Sequence, residues 1–321
     1  MECAPVLMVG FNRPDLTKGL LDCVRRARPS KLYFAVDGPR KGNQDDVVAV
    51  SQVQNIIEEV DWPCEVKTLF RKDNLGCGLG VYEAITWFFS EVQYGIILED
   101  DCHPVDFFFE FESELLELYK DDERVGIISG TNHYGFQTNS GDTYHFTSHA
   151  DIWGWGSWAR VWKYYSFDIS QTYGRIDEIA RRFTGNRRMR KRFIAYAKDA
   201  MIRKSTWDVQ LAVMIADRGL LCVIPKKRLV SNLGLGDLRG SHTQGYCFDD
   251  IYSKDIWDVK KIKHPINVSK DTNAVKKTER RMCGVLPRGI TYIGAKVPII
   301  RPLLSTMGGM FEKWFPLLFQ I

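Results

Sequence analysis

Three consecutive carboxylates, Glu99-Asp100-Asp101, close the short apolar run Tyr94-Gly95-Ile96-Ile97-Leu98. Adjacent acids repel one another, and at the rim of an apolar strand their charge has to be offset by a cation or by hydrogen-bond donors. A hard divalent ion held on oxygen ligands does this. In open α/β sheets the ligand crevice lies beyond the carboxyl ends of the strands, which is where these acids fall. A solvated acidic turn accounts for the same residues, so the run alone leaves both possibilities open. Two other segments carry chemistry-bearing types. Asn74-Leu75-Gly76-Cys77-Gly78-Leu79-Gly80 has glycines that let backbone amides approach a phosphate or ribose, or is simply a flexible connection. Asp151 to Trp162 contains Trp153, Trp155, Trp158 and Trp162 among glycines. Flat indole faces stack on sugar rings or fill a core; Trp153 and Trp155 in the glycine turn suit a pocket, Trp158 and Trp162 a core.

Positioning these residues is the task of an alternating chain. Pro5 to Phe11, Leu32 to Val36, Cys64 to Phe70 and Tyr94 to Leu98 read as strands; helices are expected after Pro14, over Val47 to Val60 and over Val81 to Phe89. That alternation predicts a doubly wound, mostly parallel sheet flanked by helices. The strand ends carry Phe11 to Arg13, Asp37, Arg71 to Asn74 and the acidic triplet, all facing one crevice. Downstream, Phe107 to Tyr119 reads as a helix with Asp106 as its N-cap, Val125 to Ser129 as a core strand, Thr131 to Ser148 as a site-lining loop, and Leu221 to Pro225 as a strand. Trp207-Asp208 opens a helix through Ala216, and Leu229 to Gly236 leads into a loop with Ser241-His242-Thr243.

Composition excludes several classes. At 45% hydrophobic and 26% charged residues the chain is globular rather than disordered. Its eight cysteines are scattered with no CxxC, which argues against a zinc site or a disulfide framework and for reduced thiols in the cytosol. No secretory leader is expected before the first strand, and no uninterrupted apolar run reaches membrane-spanning length. The net charge of +4 is unevenly spread: from Arg181 to Lys204 ten Lys or Arg face the single acid Asp199. That basic amphipathic segment suits an anionic membrane surface or a diphosphate-bearing acceptor, or is a solvated face. Lacking aromatic-basic alternation, it disfavours nucleic acid. Ile290 to Ile321 is apolar but broken by Arg301 and Lys313, and either docks on the fold or lies in a membrane interface.

Seven segments in order, Phe11-Asn12-Arg13-Pro14, Asp37-Gly38-Pro39, Arg71 to Gly76, Glu99-Asp100-Asp101, Trp153 to Trp158, Trp207-Asp208 and Ser231 to Gly234 with His242-Thr243, resemble GT-A fold glycosyltransferases. The resemblance is to bacterial sugar transferases related to N-acetylglucosaminyltransferase I, and it covers about residues 4 to 245. It implies a GT-A (Rossmann-like) domain over 1–248, with a nucleotide-sugar half at 1–130 and an acceptor half at 131–248. Residues 249–321 form an amphipathic C-terminal extension. It further implies a nucleoside-diphosphate-sugar donor, a UDP-sugar above others, bound with Mn²⁺ or Mg²⁺. By the same likeness Asp101 holds the metal with His242 in reach, Asp100 contacts the ribose and Glu99 the donor sugar. Asp37 and Arg71 recognise the base, and Phe11 and Arg13 the nucleotide. Asn74, Gly76, Trp153 and Trp155 complete the donor site, and Asp208 is the general base of an inverting reaction, with Asp151 in reserve. Transfer of this kind needs a neutralised leaving diphosphate and a carboxylate to deprotonate the acceptor hydroxyl, so the residue types suit the chemistry.

The expected function is therefore an inverting glycosyltransferase acting on a glycan or lipid-diphosphate-linked glycan in surface or capsular polysaccharide synthesis, at the cytoplasmic face of the membrane. Two rivals remain. A sugar-phosphate nucleotidyltransferase shares the crevice logic, but its glycine-rich Arg-Lys signature near the first strand is absent. A non-catalytic glycan-binding or membrane-scaffold protein would use the tryptophans and the basic helices without turnover.

Overall fold

The computed structural model describes residues 2–133, 141–235 and 261–283. Strands Val6–Gly10 (β1) and Lys31–Val36 (β2) are buried along almost their whole length, as parallel strands covered on both faces must be. Helices Pro14–Ala27 (α1), Gln44–Asn55 (α2) and Gly76–Glu91 (α3) alternate with them and with Glu65–Phe70 (β3) and Tyr94–Glu99 (β4). Next come Cys102–Pro104 (β5), Asp106–Leu118 (α4), Val125–Ser129 (β6), Tyr144–Thr147 (β7), Trp155–Trp158 (β8) and the short helix Ala159–Trp162 (α5). Ile176–Phe183 (α6), Arg187–Arg203 (α7), Asp208–Arg218 (α8), Leu221–Pro225 (β9), Val230–Asn232 (β10) and Thr272–Met282 (α9) complete the described elements.

The main sheet has eight strands in the order β3-β2-β1-β4-β8-β6-β9-β7. It is a Rossmann-like α/β sheet: β1 pairs in parallel with both β2 and β4, and only β8 and β7 run against the rest. The chain steps outward from β1 to β2 and β3, then returns to the other side of β1 with β4. The strand order therefore reverses between β1 and β4, the place where such sheets open a ligand crevice. Register aligns Val9 with both Ala35 and Glu99, so the segments that follow these strands emerge side by side.

Most of the expected elements appear with shifted ends. The glycine segment after Asn74 is not a loop: α3 begins at Gly76, because Asp37 supplies acceptors to the amides that the first turn leaves free. Asp106 does not cap α4; Val105 stands at the N-cap and Asp106 lies in the first turn. Inside the stretch expected as a loop, Tyr144 to Thr147 forms the edge strand β7, all four residues buried. Part of the extension beyond residue 248 packs on the fold. Lys263 and Thr143 exchange hydrogen bonds of 2.8 Å, Asp271 donates to the Phe146 carbonyl, and α9 buries Ala274, Val275 and Met282. The apolar stretch from Ile290 to Ile321 lies outside the described residues. Among the described residues no helix is long and apolar enough to cross a membrane.

Two hydrophobic clusters result. One follows the sheet; the other joins α6, α7 and α8, with Phe183 stacked on Phe193 at 4.6 Å. Within the first sits an acid with no hydrogen-bond partner, Glu112 of α4, fully buried against β8. Gly156 faces it, and a side chain there would run into the Glu112 carboxyl. Burial without a partner pushes this carboxyl well above the ordinary range, so the folded state keeps its proton. As pH rises past the unfolded carboxyl's value of about 4.5, only the unfolded chain ionises, and stability falls by up to about 1.4 kcal/mol per pH unit. Glu112→Gln should therefore be more stable than the parent at pH 8, with the gap closing towards pH 5 in urea titrations.

Candidate functional site

Where the strand order reverses, a cavity of about 430 Å³ opens at the carboxyl ends of β1, β2 and β4. The loops after β1, β2 and β4 form its floor; α7 and the start of α8 form the opposite wall. Phe11, Arg13, Asp37, Arg71, Asn74, Gly76, Glu99, Asp100, Asp101, Trp153 and Asp208 all line it, so residues far apart in the chain are brought together. Trp155 does not.

Its electrostatics centre on Arg13. The guanidinium donates from Nε to Asp100 Oδ2 at 3.1 Å, makes a second bond through Nη2 to Asp100 Oδ1, and lies 3.0 Å from Asp101 Oδ2. Both partners are nearly covered, which makes this a buried, forked ion pair rather than a surface contact. Asp101 is held further: Asn232 Nδ2 approaches its Oδ1 at 3.4 Å and Leu233 N donates to its carbonyl at 2.8 Å. The β5–β10 pairing, Cys102 opposite Asn232, brings that loop in. Gly234 closes it so tightly that a side chain there would strike Asp101 Oδ2 and Arg13.

One guanidinium does not balance the acids present. Glu99 accepts no hydrogen bond among the described residues, and burial together with Asp101 and Asp100 pushes its carboxyl up to about 8. Asp100 is raised to about 6, burial outweighing the attraction of Arg13. Asp208, in the first turn of α8, is raised to about 6 by burial although Thr206 and backbone amides bond to it. Glu99, Asp101 and Asp208 thus face one cavity that six carboxyl groups and four arginines line. Carboxylate oxygens are the donor type a hard divalent cation takes, although among the described residues no three such side chains are gathered closely enough to form a ready-made metal site. The second expected ligand, His242, lies outside the described residues.

Asp37, which lines the cavity, also has a structural task. Its oxygens accept from Leu75 N, Gly76 N, Gly38 N and Asn74 Nδ2, all at 2.9 to 3.1 Å, so its acceptor capacity goes into starting α3. Asn74 also donates to the Gly38 carbonyl, tying two strand ends together. Burial holds the Asp37 carboxyl above its usual value despite these donors. Arg71 pairs with Glu83 at 2.8 Å.

Trp155 is a core residue: it is 1% exposed, lies in β8 and stacks on Trp207 at 5.8 Å. The glycines around it form an antiparallel strand between β4 and β6 rather than a turn, which turns the indole inward. Through Trp207 it braces the start of α8, and so Asp208. Asp151 does not line the cavity; its carboxyl is raised to about 7 by burial, 3.8 Å from His133 Nε2. Burial lowers His133 to about 3, so that contact is not an ion pair at neutral pH.

Several lining residues carry no signal that chain patterning reveals. Arg40 lies over the Phe11 ring at 5.6 Å, held by the buried Asp46, which also accepts from Asn12 at 2.8 Å. Tyr196 and Arg203 of α7 reach the same cavity. Arg40 and Asp46 stand in a polar stretch that reads as solvent-exposed, and α7's charge pattern hides that its far end turns inward.

No family model matches the chain, and no curated protein matches it. Among solved structures, the crystal structure of HddC from Yersinia pseudotuberculosis is similar over 52% of this chain and 84% of its own, at 12% identity and a TM-score of 0.31. At that score the likeness carries no argument.

Removing Arg13 strands two covered carboxylates. Arg13→Met should cost about 3–5 kcal/mol in urea unfolding at pH 7.5, because the desolvated acids lose their counter-charge. The penalty should narrow at pH 5, where Asp100 takes up a proton.

Proposed function

We propose that this protein is an inverting, divalent-cation-dependent glycosyltransferase with a GT-A type nucleotide-sugar site. It moves a sugar from a UDP-sugar to a glycan acceptor carried on a lipid diphosphate, at the cytoplasmic membrane face. One observation carries the reading: Glu99, Asp101 and Asp208 converge on a single cavity lined by more carboxyl groups than arginines, beside the aromatic face of Phe11. A cavity of this size at the switch point suits a nucleotide-sugar, and its acids suit a cation rather than a bare diphosphate.

Mn²⁺ or Mg²⁺ would be held by Asp101, with Glu99 facing the same space and His242 as the further expected ligand. Such an ion neutralises the charge that builds on a leaving diphosphate. The remaining work falls to the chain's own groups. Phe11, backed by the Arg40 guanidinium, offers a flat face on which a base can stack, and Arg71 supplies positive charge at the rim. Arg13 keeps Asp100 and Asp101 in one orientation, so Asp100 can meet a ribose hydroxyl without rearranging. Trp153, almost wholly buried, contributes apolar surface to the cavity lining where a sugar ring would lie. Asp208, with its proton held until about 6, is ionised at neutral pH and still basic enough to take the acceptor's proton as it attacks.

With a panel of UDP-sugars and Mn²⁺, donor turnover should be abolished by chelator and by Asp101→Ala. Asp208→Asn should lower kcat about 10²- to 10⁴-fold while UDP binding is retained. Turnover indifferent to both substitutions would contradict the assignment, and ligand binding without turnover would favour a glycan-binding protein.

A further inference from the structure

Helix α7 carries a second surface, away from the cavity. At 100° per residue, Arg187, Arg188, Lys191, Lys198 and Ile202 fall within one 100° arc, opposite the buried Met189, Phe193, Ala197 and Ala200. The four cations are exposed, and Ile202 is 82% exposed. Asn186 caps the helix by accepting from Arg188 N and Met189 N, so these cations sit on a well-formed element.

A neighbouring helix repeats the pattern. Lys276, Lys277 and Arg280 of α9 are exposed, while its one acid, Glu279, is turned inward and buried, accepting from Thr184 Oγ1 and lying 3.4 Å from His149 Nε2. The two helices meet where Arg192 of α7 donates to the Met282 carbonyl at the end of α9. None of Arg187, Arg188, Lys191, Lys276, Lys277 and Arg280 has an ion-pair partner among the described residues, although acids elsewhere on the protein are paired freely. A solvated surface helix ordinarily intersperses both signs. Here each helix has one acid: Glu279 is spent on holding α9 in place, and Asp199 pairs with Arg203 at the end of α7.

We propose that the outer faces of α7 and α9 form a docking surface for an anionic lipid bilayer. Clustered cations bind acidic headgroups, and Ile202 can enter the interfacial layer. One exposed ring, Tyr173 under Lys198 at 5.3 Å, stands beside these cations, and a single ring is not the series of aromatics that stacks successive bases, which disfavours a nucleic acid. The chain beyond α9 continues from this surface into the segment 284–321, rich in apolar residues with Trp314 and Phe315, a composition that suits the same interface. Because Tyr196 and Arg203, on another side of α7, line the cavity, docking holds the cavity near the lipid surface that would carry a lipid-linked acceptor. Only this last step rests on the lipid-linked acceptor proposed above; binding itself stands on the charge.

Flotation of the full chain with phosphatidylcholine vesicles, with and without phosphatidylglycerol, tests it. The protein should float only with the anionic vesicles and be released by high salt. Arg187→Gln/Arg188→Gln/Lys191→Gln and Lys276→Gln/Lys277→Gln/Arg280→Gln should each weaken partitioning about a hundredfold, a factor of about five per cation, with unchanged circular dichroism and melting. Turnover on a soluble acceptor should stay at the parental level in both variants, so that loss of docking and loss of the enzymatic reading are separate results. Equal flotation of the variants and the parent, or tight binding of an oligonucleotide without vesicle binding, would overturn the proposal.

Discussion

A single buried guanidinium, Arg13, stands among four carboxyl groups, Glu99, Asp100, Asp101 and Asp208, in one largely desolvated cavity. Everything near the crevice is arranged around that imbalance. Arg13 reaches the acids because Pro14 starts α1 directly after it, at the end of β1, and β1 lies beside β4 in register. Its fork satisfies Asp100 and touches Asp101, leaving Glu99 and Asp208 to be compensated from elsewhere. Buried acids without counter-charge keep their protons, and Glu99 rising to about 8 is the direct expression of that shortage.

The scaffold that sustains this arrangement is made of satisfied polar groups and close packing. Asp37 holds the first amides of α3, which sets the wall carrying Cys77 and Gly80. β8 inserts its tryptophans between β4 and β6, and Trp155 stacking on Trp207 fixes where Asp208 begins α8. β10 pairs with β5 and lays Asn232 against Asp101. Each contact involves residues far apart in the chain, so the site exists only in the folded state.

Much of this was legible from residue order. Apolar runs closing on Phe11, Asp37 and Asp101 point to one sheet edge, since parallel strands share a direction, and Trp207-Asp208 marks a helix start with a carboxylate at it. What escaped is what depends on partners. That Asp37 also accepts from the amides of Leu75 and Gly76 has no sequence signal, and glycines 76 to 80 look like a loop until that capping is seen to start a helix there. Trp155 and Trp153 are equivalent by type and spacing, and both are buried, but only Trp153, ahead of β8 and before the positive-φ turn at Gly154, reaches the cavity lining. Arg40 and Asp46 carry no pattern at all, because their meaning lies in a pairing beside Phe11. Glu112 would never be placed in the core from a helical charge pattern.

The imbalance at β4 makes one measurement decisive. UDP brings further negative charge towards Glu99, Asp101 and Asp208, so it should bind poorly alone and well with a divalent cation. Calorimetric titration of UDP at pH 7.5 should give a Kd at least about tenfold tighter in Mn²⁺ than in chelator, a difference of about 1.4 kcal/mol or more. Equal affinity in the two conditions would contradict the view that these acids are a cation site for a nucleoside diphosphate.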